Sequence, residues 1–143
     1  MKISSPEFLD GDFIPAKFTC EGSNVNPEFI IENIPEGAKT LSLIADDTDS
    51  PSRIFVHWVL FNIPVSKKIE EATQAGTRGI NNAGHLGYTG PCPAPGKAHH
   101  YRFKIFALDK KLKLDEGADK PSLLKAMGSR IIDQAELTGL YKR

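Results

Sequence analysis

Residues 54–63 read Ile-Phe-Val-His-Trp-Val-Leu-Phe-Asn-Ile, an almost unbroken run of β-branched, aromatic and aliphatic side chains. Such a run leaves neither face polar, which is the pattern of a central strand covered on both sides. It carries a histidine and is far short of the ~20 apolar residues that cross a bilayer. Under strict alternation His57 shares a face with Phe55, Val59, Phe61 and Ile63, while Val56, Trp58 and Leu60 line the other. Both faces are apolar, so His57 is expected to be buried.

Further strands follow on either side. Lys39 to Asp46 sets Leu41, Leu43 and Ala45 against Thr40, Ser42 and Ile44. Phe29-Ile30-Ile31 is a short apolar run stopped by Asn33-Ile34-Pro35-Glu36-Gly37. Tyr101 to Leu108 is the third clear strand, bounded by Asp109-Lys110-Lys111. The long connection from Pro64 to Ala98 is rich in Gly and Pro, yet Ile80, Leu86, Tyr88 and Cys92 give it apolar anchors, as expected of an ordered, functional loop. A helical pattern comes only late. Asp119 can cap it, Pro121 suits its first turn, and Leu124, Met127, Ile131 and Ala135 recur at helical spacing. With no repeat or composition break, residues 1–143 read as a single mainly β domain: a Greek-key sandwich with one or two short C-terminal helices.

Composition removes whole classes of function. Eighteen Lys and Arg balance eighteen Asp and Glu, and the pI is near 6.9, so the chain lacks the basic footprint of a nucleic-acid or anionic-membrane binder. The opening MKISSPEFLDGD has no apolar h-region, and a cytoplasmic protein without an integral membrane segment is expected. Cys20 and Cys92 lack metal or CxxC spacing. Two reduced thiols are expected, with a single disulfide as the alternative.

The chemistry concentrates between residues 47 and 101. Asp47-Thr48-Asp49-Ser50-Pro51 is followed by His57-Trp58, by Gly84-His85-Leu86-Gly87-Tyr88-Thr89-Gly90-Pro91, and by His99-His100-Tyr101. In the last strand His99, Tyr101, Phe103 and Ile105 oppose His100, Arg102 and Lys104, so His99 and Tyr101 belong to the covered face and His100 to solvent. Asp47 and Asp49 fall on one side if the preceding strand stays in register, although Asp-x-Asp-Ser-Pro is also a plausible turn. Carboxylates, imidazoles, a phenol and glycine amides together make a small polar ligand site.

These segments resemble the phosphatidylethanolamine-binding protein family, also called the Raf kinase inhibitor family, in its short bacterial and archaeal branch. The similarity runs from Ser5-Pro6-x-Phe8-x-Asp10-Gly11 through Phe18-Thr19-Cys20-x-Gly22, Asp47-x-Asp49-x-Pro51, His57-Trp58-Val59, Gly84-x-x-Gly87-Tyr88-x-Gly90-Pro91-Cys92-Pro93 and His99-His100-Tyr101 to Ala135-Glu136-Leu137 and Tyr141. Thr48, Ser50 and Ala94 depart from the usual pattern, and the longer members' extra C-terminal helix is missing. The resemblance implies a β-sandwich-like fold with an anion pocket made by Asp47, Asp49, His57, Gly90, Pro91, His99 and Tyr101.

The ligand so implied is a small phosphate-bearing anion such as a phospholipid head group, with a kinase or serine protease as protein target. Short members can form homodimers, which adds a second copy to the partners. Protonated His57 and His99, with Gly90 amides, would hold the phosphate. The aspartates would either orient the imidazoles or meet a ligand ammonium. No cofactor is expected. A non-catalytic binder is favoured over a hydrolase, metal-dependent or based on the same His and Asp residues. HExxH spacing and a nucleophile elbow are missing, and the adjacent His99 and His100 face opposite ways.

Overall fold

The structure, a computed structural model, describes residues 1–143. Two antiparallel sheets pack face to face. The smaller has the order β1-β2-β5, from Lys2–Ser4, Phe29–Glu32 and Lys68–Ile69. The larger has the order β6-β4-β3-β7-β8, from Thr77–Arg78, Phe55–Pro64, Thr40–Asp47, His99–Leu108 and Ile131–Tyr141. The chain leaves the large sheet after β4, adds β5 to the small one and returns as β6, so its connections are non-local, as expected. Phe29, Ile31 and Ile69 of the small sheet meet Leu43, Trp58, Leu60, Phe103 and Ile105 of the large one in the main core. Burial of these side chains is the main force holding the sheets together.

The central strand is where the sequence pattern misleads. Ala45 pairs with Trp58 but Asp46 with Val56, so β4 carries one extra residue at His57. A second irregularity lies between the pairs Leu41–Ile63 and Leu43–Leu60, beside Asn62 at φ +51°. Each bulge resets the alternation. Trp58, Leu60 and Ile63 therefore face the sheet partner, while Val56, Val59 and Phe61 face a second core under the helix. The expected grouping of His57 with Val59 and Phe61 is wrong, whereas Ile63 does share its side of the sheet. The bulge instead turns the His57 ring toward Phe55, 4.9 Å away, and Tyr101, 5.3 Å away between ring centres.

Helix α1, Lys120–Met127, starts where expected. The Asp119 carboxylate accepts the Ser122 N–H at 2.9 Å, and Pro121 occupies the first turn. It ends at Gly128, φ +42°. Leu123 and Met127, four apart, are its buried residues, whereas Leu124 is exposed. Ile131 and Ala135 do not continue the helix. They belong to β8, which pairs with the whole of β7. Helical spacing across Gly128 was coincidental, and the β-branched pair Ile131-Ile132 favours the strand. The free edge of β8 is covered by residues 11–14, whose backbone bonds run from Gly11 to Thr138 and from Ile14 to Leu140. No helix is long and apolar enough to cross a membrane.

The cysteines are not free thiols: Cys20 and Cys92 form a disulfide across a sequence separation of 72. Their spacing says nothing about pairing because the fold alone brings residues 19–24 against residues 88–92. The same junction carries the Cys20 N–H to the Pro91 carbonyl at 3.1 Å and the Tyr88 hydroxyl to the Phe18 carbonyl at 2.6 Å. Thiol titration of denatured, unreduced protein should therefore count none. On the chain-entropy account the link contributes about 4 kcal/mol, so a Cys20→Ala/Cys92→Ala double variant should show a comparable loss in urea unfolding. Two reactive thiols, or an unchanged midpoint, would contradict the bond.

Candidate ligand-binding site

Register builds the site. Antiparallel pairing sets the end of β3 beside the starts of β4 and β7, with Asp47 opposite Phe55 on one side and Tyr101 on the other. Residues distant in sequence thus converge at one end of the large sheet, around a cavity of about 300 Å³. Asp47, His57, Gly90, His99 and Tyr101 line it, joined by Ser50, Phe55, Thr89 and the Cys92–Ala94 wall. A wider groove of about 850 Å³, around the turns after β2 and β4, gathers no histidine or tyrosine.

Each floor residue has a defined state. Asp47 is buried and accepts the His99 Nδ1–H at 2.7 Å through one oxygen and the Asp49 amide at 2.8 Å through the other. A carboxylate here only accepts, so His99 holds its proton on Nδ1 and presents Nε2. His57 Nδ1 lies 2.7 Å from the Thr89 carbonyl, which likewise only accepts, while the Thr89 N–H returns a bond to the His57 carbonyl at 2.9 Å. Neutral His57 therefore presents a bare Nε2 lone pair. Burial pushes its pKa below the ordinary 6.5, against opposing pulls from the Thr89 carbonyl and Asp47. Tyr101 is 2% exposed, and its hydroxyl makes no well-formed hydrogen bond within the protein, although the Asp47 carboxylate lies close enough to act on it. Burial first, then the charge of Asp47, raise that hydroxyl far above the usual tyrosine range, so it stays a neutral donor.

The other expected residues stand differently. Asp49 is drawn out of the cavity: its carboxylate accepts both the backbone N–H and the Nδ1–H of exposed His100, each at 2.7 Å. The His100 imidazole bond holds Asp49 below the usual carboxylate range. Together with the Thr48 N–H to the His100 carbonyl, this pair fastens the loop bearing Ser50 and Pro51 to β7. Pro91 is buried behind the wall, its carbonyl bound to Cys20. Gly90 lines the cavity, but its amide is spent on Asn24 Oδ1 at 2.7 Å, so the expected glycine nest does not form there. Glycine is needed for packing instead: a Cβ at residue 90 would overlap the Phe18 carbonyl and Asn24 Oδ1. His85, grouped with the others in sequence, is exposed on the loop and outside the cavity.

Two contributors went unread in the sequence. Thr89 stands inside the Gly84–Pro91 motif, where a residue between Tyr88 and Gly90 invited attention. Asn81 carries no such signal, yet its amide donates to the Gly87 carbonyl and Thr89 Oγ1 while its Oδ1 accepts the amides of Ala83 and His85. It ties the loop behind His57. No group of three or more His, Cys, Asp or Glu side chains converges as metal ligands would.

Residues 4–142 match the family described as phosphatidylethanolamine-binding protein. A UPF0098 protein of Methanothermobacter thermautotrophicus is 42% identical over all of this chain and 99% of its own length. One from Pyrococcus abyssi is 45% identical, again over the whole chain and 85% of its length. Among solved structures, the phosphatidylethanolamine-binding protein homolog CT736 of Chlamydia trachomatis superposes with a TM-score of 0.94 at 37% identity, covering 99% of this chain and 97% of that one. E. coli YbcL, described as a new member of the mammalian PEBP family, gives 0.91 at 27% identity over 99% and 98%. The chain belongs to the phosphatidylethanolamine-binding protein family.

Two outcomes test the site's construction. Gly90→Ala should destabilise the fold by about 2 kcal/mol through overpacking, read by urea unfolding. An unchanged midpoint would show that the residue 18–24 contact is loose. His57 sets a pH dependence. Its folded pKa lies below the unfolded value near 6.5, so the unfolded chain binds more protons within that window. Stability should therefore fall as pH drops from about 6.5 toward the depressed value. The fall should be shallower in His57→Gln; parallel curves would refute the assignment.

Proposed function

We propose that this protein is a non-catalytic receptor for a small phosphate-bearing anion, a phospholipid head group or its like. The observation that carries the reading is the buried Tyr101 hydroxyl, which lines the cavity with no well-formed hydrogen bond of its own. A buried polar group left unpaired costs about 1–3 kcal/mol, and a bound oxyanion would remove that cost. His99, oriented by Asp47, adds a donor whenever its ring carries a second proton. Removal of Asp49 from the cavity by His100 leaves one carboxylate in the lining, which eases the like-charge objection to an anion site.

Regulation of a kinase or serine protease extends this reading through family likeness, with ligand occupancy as the signal. Association with a second copy of the chain and a cytoplasmic setting belong to the same proposal. Alkylation of cells before lysis reports whether the disulfide exists in that setting.

The Asp47–His99 pair also has the form of an oriented general base, which keeps a hydrolase as the second reading. Ser50, the cavity's serine, makes no hydrogen bond to either imidazole.

Calorimetric titration with phosphorylethanolamine and inorganic phosphate tests the proposal. Saturable binding is expected, weakened roughly tenfold in Tyr101→Phe, equivalent to ~1.4 kcal/mol, and little changed in His85→Ala, whose side chain lies outside the cavity. No binding, or equal losses in the two variants, would refute it. Phosphoester hydrolysis abolished by His99→Ala would favour the enzyme.

A further inference from the structure

Resting on that reading, the geometry points to His57 as the specificity residue: we propose that the cavity takes phosphate that still carries a P–OH proton. The ligand class is inorganic phosphate or a phosphomonoester in its monoprotonated form. Sulfate and phosphodiesters, which have no such proton at neutral pH, are disfavoured.

The tautomer of His57 is set by the backbone. Its Nδ1 faces the Thr89 carbonyl at 2.7 Å, and a carbonyl oxygen has no proton to give. Residue 89 is held there by its own N–H, which donates to the His57 carbonyl, and by its hydroxyl oxygen, which accepts from the Asn81 amide. The ring cannot turn over without leaving the Thr89 carbonyl facing a lone pair. In the neutral ring Nε2 is therefore an acceptor, in a cavity where Tyr101 supplies a donor. A ligand that fits both must accept at one oxygen and donate at another. Monoprotonated phosphate does so with adjacent oxygens on one phosphorus. A fully ionised oxyanion would set its charge against the Nε2 lone pair, and a site built around a hydrogen bond rejects the analogue that lacks it.

The charged surroundings do not reverse this. Facing His57 are Asp47 from β3 and His99 and Tyr101 from β7, while Asp46 acts on it only by charge from the opposite side of the sheet. The Asp46 carboxylate is already paired with Lys120 at 2.9 Å, and Asp47 already accepts the His99 Nδ1–H at 2.7 Å. Burial outweighs their pull and keeps the neutral ring favoured at neutral pH. On acidification His57 takes a proton, Nε2 becomes a donor, and the discrimination should narrow. On the alkaline side the ligand loses its proton, since a phosphomonoester's second pKa is near ~6. Binding at neutral pH should then draw in a proton.

The test compares four probes on the wild-type protein at pH 7: inorganic phosphate, phosphorylethanolamine, glycerophosphoethanolamine as the diester, and sulfate. The first two should bind at least tenfold more tightly than the last two. Calorimetry in buffers of different ionisation enthalpy should show proton uptake, and sulfate should gain relative to phosphate only once the pH is low enough to protonate His57. All four binding within about twofold would overturn the selectivity while leaving the anion receptor standing. None binding would overturn both. Tighter binding of the diester would reverse the inference. In His57→Gln, whose amide can donate as well as accept, the gap between phosphate and sulfate should shrink below threefold; an undiminished gap would assign the selection to another residue.

Discussion

The pairing of β3 with β7 is the constraint on which everything else rests. It sets Asp47 opposite Tyr101 and carries Leu41 to Ala45 opposite Ala107 to Phe103. Every residue of β3 is buried, so its register is fixed by side chains on both faces at once. A slip of one residue would send Asp47 into the core under α1 and Asp46 into the cavity. The same register that packs the core therefore sets the Asp47–His99 hydrogen bond. The candidate cavity is mounted on a fully buried strand, with the loop residue Thr89 fixing the His57 ring.

The two neighbouring aspartates show how alternation divides labour. Asp47 faces the ligand cavity and orients His99. Asp46, one step along, faces the other side and meets Lys120 of α1, tying the helix to the sheet. Asp49 lies beyond the strand and serves as a fastener through His100. These three carboxylates are indistinguishable in composition. Their roles follow from parity along β3 and from where the strand stops.

Much of this was legible in the sequence, for identifiable reasons. The strands 40–47, 55–64 and 99–108 announce themselves because buried strands need long β-prone runs. The inward placement of His99 and Tyr101 against outward His100 followed from regular alternation in β7, which has no bulge in that stretch. The same rule failed in β4, where the bulge at His57 and the irregularity beside Asn62 each reset the faces. Ile131 and Ala135 were misread because a spacing of four residues fits a helix, while strand pairing with β7 depends on residues some thirty positions away. The disulfide and the Gly90–Asn24 bond were illegible for the same reason. Both join segments separated by more than sixty residues, and nothing local marks them.

On the proposed reading the cavity is a mixed site, with His57 neutral and accepting through Nε2 beside the donor Tyr101. Long-range proton–nitrogen correlation spectra of the imidazoles, recorded at pH 7 with and without inorganic phosphate, test it most directly. Free His57 should show a protonated Nδ1 and an unprotonated Nε2. On adding phosphate, the His57 and His99 signals should shift while those of His85 and His100 stay in place. A His57 ring protonated on both nitrogens in the free protein, or on Nε2 alone, would contradict it, as would shifts confined to His85 and His100.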